Sequence, residues 1–211
     1  MSPARACGLS NDRKVLTSDV LAADGPPHSC RTPQPEPTLT APSPPQPSPD
    51  AAAAPLRLAR DGDAQDLFGL LALCFAEYPG CFVDPHDDLS DLRAPGSSFA
   101  DRGGAFWVME DATGRVCACV ALDFPDPGTA ELHRLYVRPD ARGRGLGQAL
   151  VRAVERRARE RGAGHVVFWS DTRFTNAHRL YARLGYARAP GLRELGDISR
   201  SVEMRFEKPL S

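Results

Sequence analysis

The sequence has no C-x-x-C pair, and its six cysteines (Cys7, Cys30, Cys74, Cys81, Cys117, Cys119) follow no zinc or disulfide spacing. A reducing cytoplasm is the expected compartment, and no metal is expected. Cys117 and Cys119, two apart in an apparent strand, read as small hydrophobes on one face. Long apolar runs are missing as well. The longest, Leu67 to Ala76, is about half of what a membrane span requires. No charged n-region, apolar h-region and cleavage site open the chain, so no secretory signal is expected. A large charge of one sign is also lacking. The formal net charge is -1, which argues against a protein held on nucleic acid by bulk attraction. Arginines do crowd between Arg142 and Arg161, against Glu155 and Glu160 alone. That pattern reads as a solvated helix face with cations toward its C-terminus, and it also suits a ligand carrying several phosphates.

What is present divides the chain in two. In residues 1–54, and above all in the run from Thr32 to Pro55, Pro, Ala, Ser, Thr and Gln dominate. Such a segment buries too little apolar area to offset its ordering entropy, so a disordered tail with polyproline character is expected. A downstream start of translation is the other reading of this tail. Residues 55–211 carry the apolar material for one globular domain, in a chain that is 42% hydrophobic and 25% charged.

Within that domain Leu56 to Arg60 alternates as a strand. Asp61-Gly62-Asp63 offers an N-cap, and Leu67, Leu70, Leu71, Cys74 and Phe75 recur at helical spacing up to Tyr78-Pro79-Gly80. Residues 81–102, polar and acidic with Pro85 and Pro95, read as an irregular loop with short helices, suited to a substrate lid. Strands follow at Ala105 to Glu110 and Arg115 to Phe124 around an Asp111–Gly114 hairpin turn, then at Ala130 to Val137. Leu146, Leu150, Val151, Val154 and Ala158 mark a helix face that stops at Gly162. A buried strand at His165 to Trp169 comes next, then a helix from Phe174 to Leu184 with Gly185 as its C-cap. Two strands close the chain, around Tyr186 to Ala189 and Ser201 to Phe206.

The densest signal is Leu135 to Leu150, a strand end, a proline turn, a glycine-rich loop and a helix start. Gly143, Gly145 and Gly147 strip side chains from the place where helix-start amides meet a ligand. The first turn of a helix leaves about four N–H groups unpaired and carries partial positive charge, so the loop is an anion site for which diphosphate is a natural guest. A Rossmann fingerprint would put a third glycine where Gln148 stands, and a Walker loop would need a G-K-[ST] triplet that the chain lacks.

The pattern Arg142-x-x-Gly145-x-Gly147 resembles the coenzyme A pyrophosphate loop of the GNAT superfamily of acyl-CoA-dependent N-acyltransferases. Asn176-Ala-x-x-Leu180-Tyr181-x-x-Leu184-Gly185-Tyr186 resembles the family's asparagine–tyrosine helix and its glycine–aromatic turn. The element order from 56 to 208 fits as well. The resemblance implies an α/β (α+β) fold with a mixed, mostly antiparallel central sheet of about seven strands flanked by helices. It implies acetyl-CoA as co-substrate, lying between the strands Leu132–Val137 and His165–Trp169. The cofactor residues would be Leu135, Tyr136 and Val137 through main-chain atoms, Arg142, Gly143, Arg144, Gly145, Leu146, Gly147 and Gln148 at the phosphates, and Asn176 on the pantetheine arm.

Direct attack of an amine on the thioester needs a base, an oxyanion donor and an acid for the thiolate. Glu131 and His133, two apart on one strand, share a face and supply the base, with Glu131 preferred and acting through a water. By resemblance Tyr181 is the general acid. Tyr78, Arg173 and Arg193 are the candidate substrate contacts. An arginine there could clamp a carboxylate, whereas Asp171, Asp84 and His86 could instead hold a cationic amine. The expected partner is a small-molecule amine, with neither nucleic acid nor membrane, and a homodimer is an open assembly. Two other readings remain: a protein lysine or N-terminal acetyltransferase, and a non-catalytic acyl-CoA-binding module.

Overall fold

The structure, a computed structural model, describes residues 55–84 and 89–211. The expected tail of residues 1–54 lies outside them, as do Pro85 and His86. Seven strands build one mixed sheet: β1 (Leu56–Leu58), β2 (Ala105–Glu110), β3 (Val116–Asp126), β4 (Thr129–Val137), β5 (His165–Asp171), β6 (Ala187–Glu194) and β7 (Val202–Pro209). Their order across the sheet is β1-β2-β3-β4-β5-β7-β6, and the β4–β5 contact alone is parallel. The helices are α1 (Ala64–Phe75), α2 (Pro95–Ala100), α3 (Leu146–Glu160) and α4 (Thr175–Arg183).

Two cores sandwich the sheet. On one face α1 and α2 bury Leu67, Leu70, Leu71, Cys74 and Phe99 against Phe106, Val108 and Ala121. On the other, α3 and α4 bury Leu146, Leu150, Val151, Val154, Ala158 and Tyr181 against Leu122, Leu132, Val166 and Phe168. Each fully buried Leu or Phe side chain contributes about 1.5–3 kcal/mol relative to exposure, so the period of α3 is enough to fix which way it faces. The α4 C-terminus closes where Gly185, at φ 83°, lets Tyr186 N–H reach the Tyr181 carbonyl at 3.0 Å. That turn carries the Tyr186 ring back onto Phe168, 5.1 Å between centroids.

Three local expectations differ. Cys117 and Cys119 do not share a face, because Met109 pairs with Ala118 while Glu110 pairs with Val116. The residue left over is Cys117. This bulge turns Cys117 into the α3 core and leaves Cys119 in the α1 core. Asp63 does precede α1, but its side chain makes no cap bond to the helix. Its carboxylate accepts from Arg57 Nη1 and Nη2 at 2.7 and 2.8 Å instead. Finally, β6 runs past the expected Tyr186–Ala189 to Arg193 and Glu194, since pairing with β7 resumes at Leu192 opposite Met204, with Arg193 opposite Glu203.

Candidate active site

β4 and β5 are joined at Thr129–His165, Ala130–Val166 and Glu131–Val167, and there the pairing stops. From Leu132 to Val137 the β5-facing side of β4 has no strand partner, which leaves main-chain groups needing one. A second irregularity opens the same place. Between the pairs Ala121–His133 and Cys119–Tyr136, β4 carries an extra residue, with Arg134 at φ 55°. A left-handed arginine costs about 1–2 kcal/mol. It is held by Asp91, whose carboxylate accepts from Arg134 Nε and Nη2 at 3.0 and 2.9 Å, and by Cys119 Sγ on the Arg134 carbonyl at 3.1 Å. Between the splayed strands lies a cavity of about 930 Å³. Its lining takes in the glycine loop, Glu131 and His133 on β4 where the strands part, and Trp169 and Arg193.

In the loop Gly143 and Gly145 have φ 78° and 79°, and Gly145 is the N-cap of α3 with no side-chain cap. Gly147 has a different reason to be glycine. A Cβ there would sit 3.0 Å from Leu180 Cδ2, so the leucine side chain on α4 would have to give by a few tenths of an ångström. Leu146, Gly147 and Gln148 bring the open first turn of α3 to the cavity wall, beside Leu135, Tyr136 and Val137. Arg142 lines the cavity too, but its guanidinium turns toward α1. Nε donates to the Val137 carbonyl at 2.9 Å, and Nη1 lies 2.7 Å from Glu77. The Cys74 thiol reaches the same carbonyl at 3.5 Å, so both lone pairs of Val137 O are engaged within the protein. Arg144 is not part of the lining, and its contact is the Asp140 carbonyl at 3.4 Å. Asn176 lines the cavity near its exposed edge, with Oδ1 accepting from Arg179 at 3.2 Å.

Glu131 and His133 stand on the α1 side of β4 with Asp123, which the β3–β4 register places opposite Glu131. Ligand atoms of Asp123, Glu131 and His133 lie within 4.8 Å of one another, a spacing that a divalent ion could also use. Asp123 Oδ1 is 3.0 Å from His133 Nε2, and Arg102 reaches Asp123 Oδ2 at 3.3 Å. Burial works against the Asp123 anion, but the His133 hydrogen bond and the His133 and Arg102 charges outweigh it and hold this carboxyl below its ordinary value. Across the cavity is Tyr181, only 4% exposed, packed 4.4 Å from the Phe168 centroid. Burial pushes its phenol well above the ordinary value, against a smaller opposing pull from a hydrogen bond to Ser170. The hydroxyl therefore keeps its proton at neutral pH.

Tyr78 packs tilted against Phe174, 4.8 Å between ring centroids, and both line the cavity. Arg193 lies 4.5 Å above the Trp169 ring, with Nε and Nη2 on Glu203 Oε2 at 3.0 and 2.5 Å. Arg173 is placed otherwise than its expected role as a clamp requires. It is not part of the lining, and its nitrogens are spent on Asp171 (2.9 and 2.6 Å), the Gly80 carbonyl (3.1 Å) and Ser201 (3.2 Å). It buttresses the end of β5. Asp171 is consequently an ion-pair partner as well as a lining residue.

A family model described as the GNAT acetyltransferase family matches residues 66–186. The chain belongs to that family. Among relatives, the L-methionine sulfoximine/L-methionine sulfone acetyltransferase of Pseudomonas paraeruginosa is 30% identical over 156 residues, covering 70% of this chain and 90% of that one. N-acetyltransferase 8B of Rattus norvegicus is 34% identical over 105 residues, 48% of this chain and 46% of that protein. The chain thus spans about half the length of the first curated relatives it matches, as that 46% illustrates. A solved GNAT superfamily phosphinothricin acetyltransferase from Sinorhizobium meliloti, in complex with AcCoA, superposes with a TM-score of 0.59 at 20% identity, covering 75% of this chain and 89% of that one. The GNAT fold accounts for the splay of β4 from β5. Sequence alone does not single out three side chains at or beside the site: Asp123 beside His133, Ser170 in the cavity lining, and His178 beside Ser170. Asp123 could have been found by pairing the β3–β4 hairpin through its turn, but nothing in the chain near Ser170 or His178 announces them.

Proposed function

We propose that this GNAT chain is an N-acetyltransferase moving the acetyl group of acetyl-CoA to the amine of a small, carboxylate-bearing molecule. The observation that carries the reading is the splayed β4–β5 cavity, whose lining brings the bare helix-start residues of α3 together with Glu131, His133 and Tyr181. Diphosphate would sit on the N–H groups of residues 146–148, and the pantetheine amides would pair with main chain from Leu135 to Val137, completing the open side of β4. In a ternary complex the acceptor ammonium loses its proton to Glu131 through a water, and the free amine attacks the thioester carbon. The C–S bond then breaks, and Tyr181 O–H protonates the departing thiolate.

One observation favours a second assignment of the base. Asp123 holds His133 by a 3.0 Å hydrogen bond, the arrangement that orients an imidazole for proton abstraction. The carboxylate preference rests on Arg193, fixed by Glu203 and Trp169 with Nη1 outside that ion pair. It is supported by the 30%-identical relative, whose named substrates are methionine derivatives. Among the described residues no helix is long and apolar enough to cross a membrane, and a cytoplasmic enzyme is the reading we adopt.

The test is thiol release from acetyl-CoA with a panel of amines, run on the wild type and on Glu131→Gln, His133→Gln and Tyr181→Phe, with acetyl-CoA affinity measured by calorimetry. Loss of the true base should lower kcat by about 10²- to 10⁴-fold at unchanged cofactor affinity. Whichever of Glu131→Gln and His133→Gln falls in that range identifies it. Binding of acetyl-CoA without transfer to any amine would sustain the non-catalytic acyl-CoA module instead, and transfer only to peptides would sustain a protein acetyltransferase.

A further inference from the structure

We propose that Ser199 is a positioning residue for the acceptor: its hydroxyl ties residues 80–82 to the β6–β7 turn, and this tie sets how tightly the amine is held. The proposal rests on the acetyl-transfer reading above. Ser199 Oγ accepts from the Phe82 N–H at 2.8 Å and donates to the Phe82 carbonyl at 3.2 Å. One hydroxyl thereby satisfies both main-chain groups of Phe82, as a neighbouring strand would. Arg173 makes a second tie, from Nη1 to the Gly80 carbonyl at 3.1 Å and from Nη2 to Ser201 Oγ at 3.2 Å. Cys81, Phe82, Ser199 and Ser201 all line the cavity, together with Trp169 and Arg193. The two ties therefore join two wall segments that stand 117 residues apart in the chain.

The two sides of the tie differ in what else holds them. Residues 195–201 are pinned by their own hydrogen bonds. Leu195 N–H reaches the Ser201 carbonyl at 2.8 Å, Ser201 N–H reaches Asp197 Oδ1 at 2.7 Å, and Arg200 N–H reaches the Asp197 carbonyl at 3.0 Å. Ser199 itself is buried there, at 9% exposure. Residues 80–82 have less to hold them. Gly80 is exposed, Phe82 is 56% exposed, and Cys81 alone of the three is buried. A segment that buries so little apolar surface takes its position from its hydrogen bonds and opens locally when they are lost. None of the three residues belongs to the cofactor site, which is assigned to α3 and residues 135–137. Loosening them therefore acts on the acceptor and leaves the diphosphate and pantetheine contacts alone. An amine that binds only the tied state has its apparent affinity reduced by the fraction of molecules so tied. Once bound, it holds that state, and the chemical step proceeds as before.

Ser199→Ala isolates the tie, whereas Arg173→Ala would also strip Asp171, 5% exposed, of its ion-pair partner. Amide hydrogen exchange at Phe82, followed by NMR on the full chain, reads the tie directly. Phe82 should be protected in the wild type and should exchange about tenfold faster or more in Ser199→Ala. Steady-state kinetics read its use. With the amine of the panel that the wild type acetylates best, Ser199→Ala should raise amine KM about tenfold and keep kcat and acetyl-CoA affinity within about twofold. Added to wild type loaded with coenzyme A, the same amine should slow Phe82 exchange further. Equal Phe82 exchange in the two proteins overturns the tie, and an unchanged KM overturns its role with the acceptor. A loss of kcat or of acetyl-CoA affinity that matches the rise in KM makes Ser199 a general support of the fold and overturns the proposal as well. If Ser199→Ala does not fold, the wild type with coenzyme A decides, and Phe82 exchange indifferent to the amine overturns the proposal. A wild type that transfers acetyl to no amine overturns the acetyl-transfer reading and the acceptor role built on it, while Phe82 exchange still reports whether the tie exists.

Discussion

Replacing Gly145 by alanine perturbs the backbone of the glycine-rich loop and little else. Its φ is 79°, and no heavy atom lies within 4 Å of an added Cβ, so no clash contributes. The left-handed conformation costs an L-residue about 1–2 kcal/mol, part of which is returned because alanine has less unfolded-state freedom to lose. The net loss is about 1 kcal/mol, or about 2–4 °C in the unfolding midpoint of a domain this size. Gly114, in the β2–β3 turn, supplies the control, since it has the same φ of 79° and the same open space. Gly114→Ala should cost the ligand-free protein as much. The two part when acetyl-CoA is added. Ligand at 100 times Kd stabilises by about 2.7 kcal/mol, roughly 5–11 °C on the same scale. Amides displaced enough to weaken binding tenfold remove about half of that gain. Thermal unfolding with and without acetyl-CoA therefore reads both effects in one experiment. A Gly145→Ala protein that keeps the whole ligand-induced shift would refute docking at this helix start, and one with an unchanged ligand-free midpoint would refute the strain argument.

Arg193→Ala should raise KM for a carboxylated amine about tenfold or more, as expected when a charge-assisted hydrogen bond is lost, and leave KM for an uncharged amine alone; equal effects on both would dispose of the clamp. Glu155→Ala removes the acceptor shared by Lys208 (2.8 Å) and Tyr186 (3.1 Å), and should destabilise by about 3 kcal/mol or more in denaturant unfolding. Acid should weaken the fold through Asp63, Asp123 and Asp171, whose native values are all depressed. A depressed carboxyl stabilises above its unfolded value near 3.8 and loses that contribution as pH falls through the lower native one. Stability should thus drop between about pH 5 and pH 2, and Asp171→Asn should flatten part of the drop; a profile flat over that range would contradict these ion pairs.

Helix α3 was readable because its period repeats over four turns and a single face meets the sheet; every apolar position expected inward is buried. The glycine loop was readable because three glycines in five residues cost helix and core alike. Glu131 and His133 could be named together because strand side chains alternate, and the structure does bring them with Tyr181 around one cavity. The two bulges escaped, at Cys117 and at Arg134, since a bulge is a relation between two strands and leaves no mark in either alone. Arg173 and Arg193 looked alike for a similar reason. What separates them is which carboxylate each one finds: Asp171, two residues away, for the first, and Glu203, across a strand pair, for the second.

The three rungs between β4 and β5 have a consequence for how the molecule meets its ligands. Among the described residues they are the one strand-to-strand join between β1–β4 and the returning β5–β7–β6 leaf. A cofactor laid along the gap would serve as a temporary strand, stitching leaf to leaf before any acceptor arrives. Ordered addition, with the thioester first and the amine second, would then follow from the architecture and need no separate gate.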